Sequence, residues 1–402
     1  MMAEASFHPS LWERFTAWVR RAVTADFAPL PIILSLIVLA IILQAMNQNF
    51  LTAGNLSNLA NQIVPTGMIA CGVVLVLIIG EIDLSVGVLS GLAAAVMAVL
   101  SVRYGMPAPV AIGTALVVGM LAGLVTGYFV TQRGVPSFIV TLAGMLAWQG
   151  TMLAVLGPAG TINITNPLIT GLATTFLSLP VGLGATAVVT IVNAVFLLRS
   201  ERRRGAAGLG RFTPRELAVR LLAPALVMGA IVLYLGSARG VPLAFAILAG
   251  VIWILDTVTR RTRFGRHMFG IGGNQEAARR VGIKVSLTKI GVFMLGSGLA
   301  AFGGVLSAAR LTTVSTSSGG GDLLLNAIAA AVIGGTSLFG GRGSVWSALL
   351  GALVIGFISN GMDLLSVPSS TKFIVTGLVL LGSVSIDAAT RKRFAQVVKR
   401  AG

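Results

Sequence analysis

Few residues in this 402-residue chain have side chains that do chemistry, and their scatter narrows what that chemistry is. His8 and His267 are the only histidines. They lie far apart with no cysteine beside them, so neither a metal cage nor a Ser-His-Asp arrangement is suggested. The lone Cys71 sits in an apolar run and has no disulfide partner within the chain. A phosphate-cradling loop needs G-x-x-x-x-G-K-[ST], and none of the lysines follows a glycine. Gly270, Gly272 and Gly273 miss the dinucleotide spacing, because Gln275 stands where the third glycine belongs. No catalytic, cofactor-binding or metal residue is therefore expected, and hydrolysis of nucleotide by this chain is excluded.

Two stretches remain. The first is Ile79-Gly80-Glu81-Ile82-Asp83-Leu84-Ser85-Val86-Gly87, at the edge of an apolar segment. An acid at mid-membrane costs roughly 2.5–3.5 kcal/mol on an insertion scale, so such residues often mark an ion or proton route. At the mouth of a helix the same Asp83 and Ser85 serve instead to cap backbone N–H groups. Ile333 to Gly341 repeats the pattern I-G-x-x-x-L-x-x-G. Related turns of two parallel half-repeats would explain this, as would chance in a chain with 50 glycines. Glu81, Asp83, Ser85, Gly87, Gly334, Gly335 and Thr336 in these two turns are the candidate pathway or gating residues.

The second stretch, Arg260 to Lys289, holds eight of the 29 Lys and Arg residues. Within it Asn274 suits a helix N-cap, Glu276 a first turn and Gly282 a terminator. At about 100° per residue, Ala277, Ala278 and Val281 share one flat face. That face fits another protein, or the ends of the chain's own helices.

The elements that hold these stretches follow from composition. Hydrophobic residues make up 55% and charged residues 10%, against about 25% charged in soluble domains. Apolar segments fall near 30–46, 63–79, 86–102, 108–130, 136–156, 181–198, 221–236, 241–258, 287–308, 323–338, 344–361 and 372–386. They predict an all-α integral membrane protein, polytopic, with about twelve transmembrane helices and both termini cytoplasmic. With the N-terminus inside, 25 of the 29 basic residues lie inside, and only Arg103, Arg239, Arg310 and Lys372 lie outside. The net charge of +17 thus belongs to topology and not to nucleic acid. Residues 1–28, with Leu11, Trp12, Phe15, Trp18 and Val19 at helical spacing, predict a cytoplasmic segment with an interfacial helix. Residues 29–386 form the transmembrane domain, and 387–402 a basic cytoplasmic tail. Gln149, Asn193, Asn326 and Asn360 inside the segments line a pathway or join helices. The outer stretches 48–62, 157–180 and 312–321 are polar and read as loops, for a neutral ligand, a docking protein or solvent alone.

Glu276-Ala277-Ala278-x-x-x-Gly282 matches the start of the EAA-x-x-x-G coupling motif of ABC-importer permeases. Thr262 to Arg266, Gly272-Gly273-Asn274, Ile82 to Gly87, and Ala327 through Leu338 resemble the ribose/xylose-type sugar ABC permeases, over about residues 30–386. The shorter ribose type lacks the equivalent of roughly 181–240, an extra helical pair around an arginine-rich loop, so the long xylose type is the better match. A downstream I-x-L-P is not found after Gly282. The resemblance implies a permease for D-xylose or a related pentose in the bacterial cell (inner) membrane, paired with a second copy of itself. A partner ATPase would carry the ATP and contact Glu276, Ala277, Ala278, Val281 and Gly282, and a sugar-binding protein would dock outside. The chain itself would hold no cofactor. Twelve helices and the Glu81/Asp83 pair also suit an ion-coupled secondary sugar transporter, which stays as the alternative.

Overall fold

The computed structural model describes residues 30–208, 212–379, 381, 382 and 385; the expected interfacial helix in 1–28 and the basic tail 387–402 lie outside the described residues. Helix α1 (Leu30–Met46) is followed by α2 (Ala53–Gln62) and α3 (Val64–Ile78). Next come α4 (Val86–Ala98, continued by a π-helical turn over Val99–Arg103), α5 (Ala108–Gln132) and α6 (Ser137–Leu156). Strand β1 (Thr161–Asn163), α7 (Pro167–Thr174) and β2 (Phe176–Leu177) precede the long pair α8 (Leu179–Ala206) and α9 (Pro214–Gly236). Then follow β3 (Val241–Pro242), α10 (Leu243–Arg261), α11 (Arg263–Gly273), α12 (Gln275–Arg280) and α13 (Val285–Leu311). Strand β4 (Thr313–Ser315), α14 (Gly321–Ile333), α15 (Trp346–Leu364) and a helix α16 over 369–379 complete the order.

Among the described residues, eight helices are long and apolar enough to cross a membrane alone, or nine if the bent pair α2–α3 is one span. All twelve apolar segments meet a helix, but α1 has 17 residues and α14 only 13. The 45° break between α2 and α3 lies beside Pro65 in the first turn of α3. Its ring lacks an N–H and crowds the carbonyl one turn earlier, which bends the helix there.

The uniformly apolar α3 lies at the centre, where all its residues except Thr66 are buried. It packs against α13, α14 and α15. Lipid tails give apolar helices little reason to associate, so close backbone contact between small residues does the joining. At Gly72 of α3 a Cβ would stand 2.5 Å from Gly296 O of α13. By contrast α8 and α9 have few buried residues and pack chiefly on each other.

The outer stretches read as loops are ordered. Strand β1 pairs antiparallel with β4, and β2 with β3. Helix α2 occupies most of 48–62, with Thr52 Oγ1 accepting from Asn55 N. These pieces gather at one end of the bundle; the opposite, basic end collects α11, α12 and the turns at 79–85, 133–136 and 334–345. The start of α1 is also there, since Ile32 approaches Gly335. Asn360 and Asn55 exchange reciprocal amide bonds of 2.8 and 3.2 Å, Trp253 Nε1 donates to Asn193, and Gln149 donates to the Thr316 carbonyl. Three of the four interior amides therefore tie elements together.

Candidate functional site

The Arg260–Lys289 stretch contains two helices where one was expected. Thr262 Oγ1 caps α11 by accepting from Gly265 N, and Met268 and Ile271 are buried beneath it. The short α12 is capped as expected: Asn274 Oδ1 accepts from Ala277 N at 2.9 Å. At its far end Gly282 has φ +84°, and Ile283 N donates back to Ala278 O at 3.1 Å. Glu276 faces Arg280 at 3.5 Å and Arg279 at 3.7 Å. All three are exposed, so these contacts add little stability.

The expected single face of α12 is split. Ala278 is 4% exposed and joins the main core, whereas Val281 is 77% exposed and Ala277 is exposed with it. Helices α11 and α13 flank and contact α12, and its Ala278 side lies on the bundle. Of the five expected contact residues, Glu276, Ala277, Val281 and Gly282 are therefore exposed, alongside Gln275, Arg279 and Arg280, and Ala278 is not.

Just before α12 the chain meets both of the paired turns. A Cβ at Gly272 would lie 1.8 Å from Ile78 O and 2.5 Å from Gly341 N, so only glycine fits. Gly341 N in turn donates to Ile78 O at 2.9 Å. The end of α11, the turn leading into α4 and the turn leading into α15 thus touch backbone to backbone. A fourth strut is the ion pair of Glu81 with Lys289, on the second turn of α13, with side chains 15% and 8% exposed. Beside this pair a cavity of about 350 Å³ is lined by Thr131, Ser137, Gln275 and Arg279 among others. The end of α11, next to α12, is thus in direct contact with two turns that precede membrane helices.

The two turns share local geometry, although not in the register of the sequence pattern. Gly80 N and Glu81 N donate to Leu77 O and Val76 O, and Gly335 N and Thr336 N donate likewise to Val332 O and Ala331 O. The glycines with positive φ are Gly80 (78°) and Gly335 (96°), whereas the pattern aligned Gly80 with Gly334. Gly334 instead packs against Ser347 O. Further on, the original register returns: Asp83 Oδ1 accepts from Ser85 N at 2.8 Å and Ser85 Oγ at 2.7 Å, and Ser337 Oγ accepts from Phe339 N. Between its left-handed glycine and this bend the second turn is one residue shorter than the first. Asp83 thus braces its own turn, three positions ahead of the start of α4. Asp83 Oδ2 and Thr336 Oγ1 are buried with no hydrogen-bond partner among the described residues. Gly87 lies beyond the turn, against Leu324 and Gly319.

Residues 55–384 match the family described as branched-chain amino acid transport system / permease component. The xylose transport system permease protein of Escherichia coli (strain K12) is 41% identical over 349 residues, 86% of this chain and 87% of that one. Its counterpart in Haemophilus influenzae is 38% identical over 370 residues, covering 90% and 98%. The ribose import permease protein of Escherichia coli (strain K12) is 34% identical over 355 residues, covering 88% and 92%. No solved structure matches. The chain belongs to the branched-chain amino acid transport system / permease component family and, along most of its length, is similar to permeases for xylose and ribose.

Proposed function

We propose that this chain is the membrane-spanning subunit of an ATP-driven importer for D-xylose or a related pentose. The observation that carries the reading is α12: a helix capped at both ends, exposed on one side, and joined through Gly272 to the turns before α4 and α15. A partner ATPase that gripped Glu276, Ala277, Val281 and Gly282 would move those turns directly. Ala278 would act from inside, as the anchor of α12 on the bundle.

The basic end then faces the cytoplasm, as the distribution of Lys and Arg requires. Twelve crossings result if α1, the bent pair α2–α3, α14 and α16 each count as one, with both termini inside. The two small ribbons and α7 form the outer surface that receives a sugar-binding protein. A second copy of the chain completes the pathway in the bacterial inner membrane. ATP resides on the partner, and this chain holds no cofactor. The pentose follows from the similarity to xylose permeases, which extends through the α8–α9 pair. The unpartnered Asp83 Oδ2 favours a second reading, an ion-coupled secondary transporter.

A bacterium lacking its own xylose permease, but keeping the ATPase and binding protein, tests the first reading. Growth on xylose should return with this chain and fail with Ala277→Trp. Growth restored equally when the ATPase gene is also deleted would refute it.

A further inference from the structure

Thr312–Gly320 leaves the end of α13 and then folds back into the bundle. Ser318 O and Met152 Sδ both come within 3 Å of a Cβ built at Gly91, at 2.1 and 2.9 Å. Gly91 is about 18 Å along α4 from Arg103, whose side chain reaches the end of α6 at Leu156 O. Gln149, about 10 Å before that same end of α6, donates to Thr316 O at 3.3 Å, while Thr316 N bonds Gly160 O at the top of the β1–β4 ribbon, so the descent to Gly91 is made by 317–320. From this depth α14 starts, and its 13 residues span only about 20 Å. Irregular backbone at such depth persists only where protein surrounds it or water reaches it.

The side chains there are unusual for a membrane helix bundle. Thr316, Ser317 and Asp322 are exposed, Gln149 is half-buried beside them, and Asn326 is one turn beyond Asp322 on α14. Asn326 makes no side-chain hydrogen bond among the described residues, and Trp148 Nε1, next to Gln149, is buried without a partner. A carboxylate, two amides, two hydroxyls and an indole together offer both donors and acceptors. Set against hydrocarbon they would be costly; set against a polyhydroxylated ligand they are matched. The exposed face of α8 shows the contrast, with Val181, Val188, Ile191, Val195 and Leu198.

We infer that Gln149, Thr316, Ser317, Asp322 and Asn326 line the hydrated sugar pathway, and that they hydrogen-bond a neutral monosaccharide in passage. This rests on the importer reading above, and it assigns the face that reading leaves open. Lipid, or a second copy packed dry against this face, would be the other occupants.

The test uses the importer assembled with its ATPase and binding protein in proteoliposomes. Thr316→Cys, Asn326→Cys and, as a control, Val188→Cys are treated with a charged, water-soluble thiosulfonate; native Cys71 is buried. The expected result is labelling at 316 and 326 but not at 188, with loss of ATP-driven xylose uptake only in the labelled variants. Asp322→Asn should lower uptake while the yield of assembled complex matches that of the wild type. No labelling at 316 and 326, or labelling with uptake intact, overturns the inference. An unmodified wild type that moves no sugar with ATP brings down the importer reading instead, and the labelling pattern still reports whether this face is wet.

Discussion

Gly272 and Gly273 are neighbours at the end of α11 with opposite expected responses to one methyl group. A Cβ at Gly272 would sit 1.8 Å from Ile78 O, 2.5 Å from Gly341 N and 2.9 Å from Ile78 C, all backbone atoms that no rotamer change can move aside. A comfortable carbon–oxygen contact is about 3.3 Å, so Gly272→Ala must push α11 and the 78–80 turn apart by about 1.5 Å. Overpacking of that kind costs about 1–3 kcal/mol. The same shift strains the Gly341 N to Ile78 O bond, and an orphaned buried backbone group costs a further ~1–3 kcal/mol. The expected loss is therefore about 2–6 kcal/mol. At Gly273 a Cβ meets nothing within 4 Å and φ is not positive. Gly273→Ala should be neutral or gain up to about 1 kcal/mol from helix propensity. Thermal unfolding in detergent and ATP-driven uptake in proteoliposomes check both. Gly272→Ala should unfold earlier and lose uptake per assembled complex, while Gly273→Ala should match the wild type. Equal behaviour of the two variants would refute the account of this junction.

Neutralising one partner of the Glu81–Lys289 pair should destabilise the fold by about 3–5 kcal/mol, because the other charge stays buried; thermal unfolding of Glu81→Gln and Lys289→Met reads this, and the doubly swapped Glu81→Lys/Lys289→Glu should recover part of it. Gly282→Val places a β-branched residue at φ +84°, costing about 1–2 kcal/mol. It should reduce co-purification of a partner ATPase without reducing membrane insertion. Asn55→Ala leaves the Asn360 amide without its reciprocal partner and should cost about 1–3 kcal/mol, visible as a lower unfolding temperature in detergent.

Local chemistry was legible in the sequence where it involves neighbours. Asn274, Glu276 and Gly282 announce α12, since a cap, a first-turn charge and a terminator act within one helix. Helix α11 had comparable signals in Thr262 and in the 264–268–271 spacing, but its basic residues made the stretch read as loop. The inward side of α12 was not legible, because it depends on how α11 and α13 approach. Neither was the Glu81–Lys289 pair, whose members are 208 positions apart. Strands of two or three residues carry no periodicity, so the β1–β4 and β2–β3 ribbons were invisible. The repeat pattern pointed to two turns that do share geometry, yet the second is one residue shorter between its left-handed glycine and its bend, so that glycine is Gly335 and not Gly334. The Ser- and Gly-rich run 312–320 read as a surface loop throughout, although 317–320 descend to Gly87 and Gly91, because composition does not report depth.

The central claim is that this chain moves a pentose only when α12 is driven by a separate ATPase. Proteoliposomes holding the chain alone, or the chain with its ATPase partner and binding protein, should be compared for xylose uptake with ATP and with an imposed proton or sodium gradient. The account predicts uptake only from the complete assembly with ATP. Xylose accumulation by the chain alone under an ion gradient, without ATP, would contradict it.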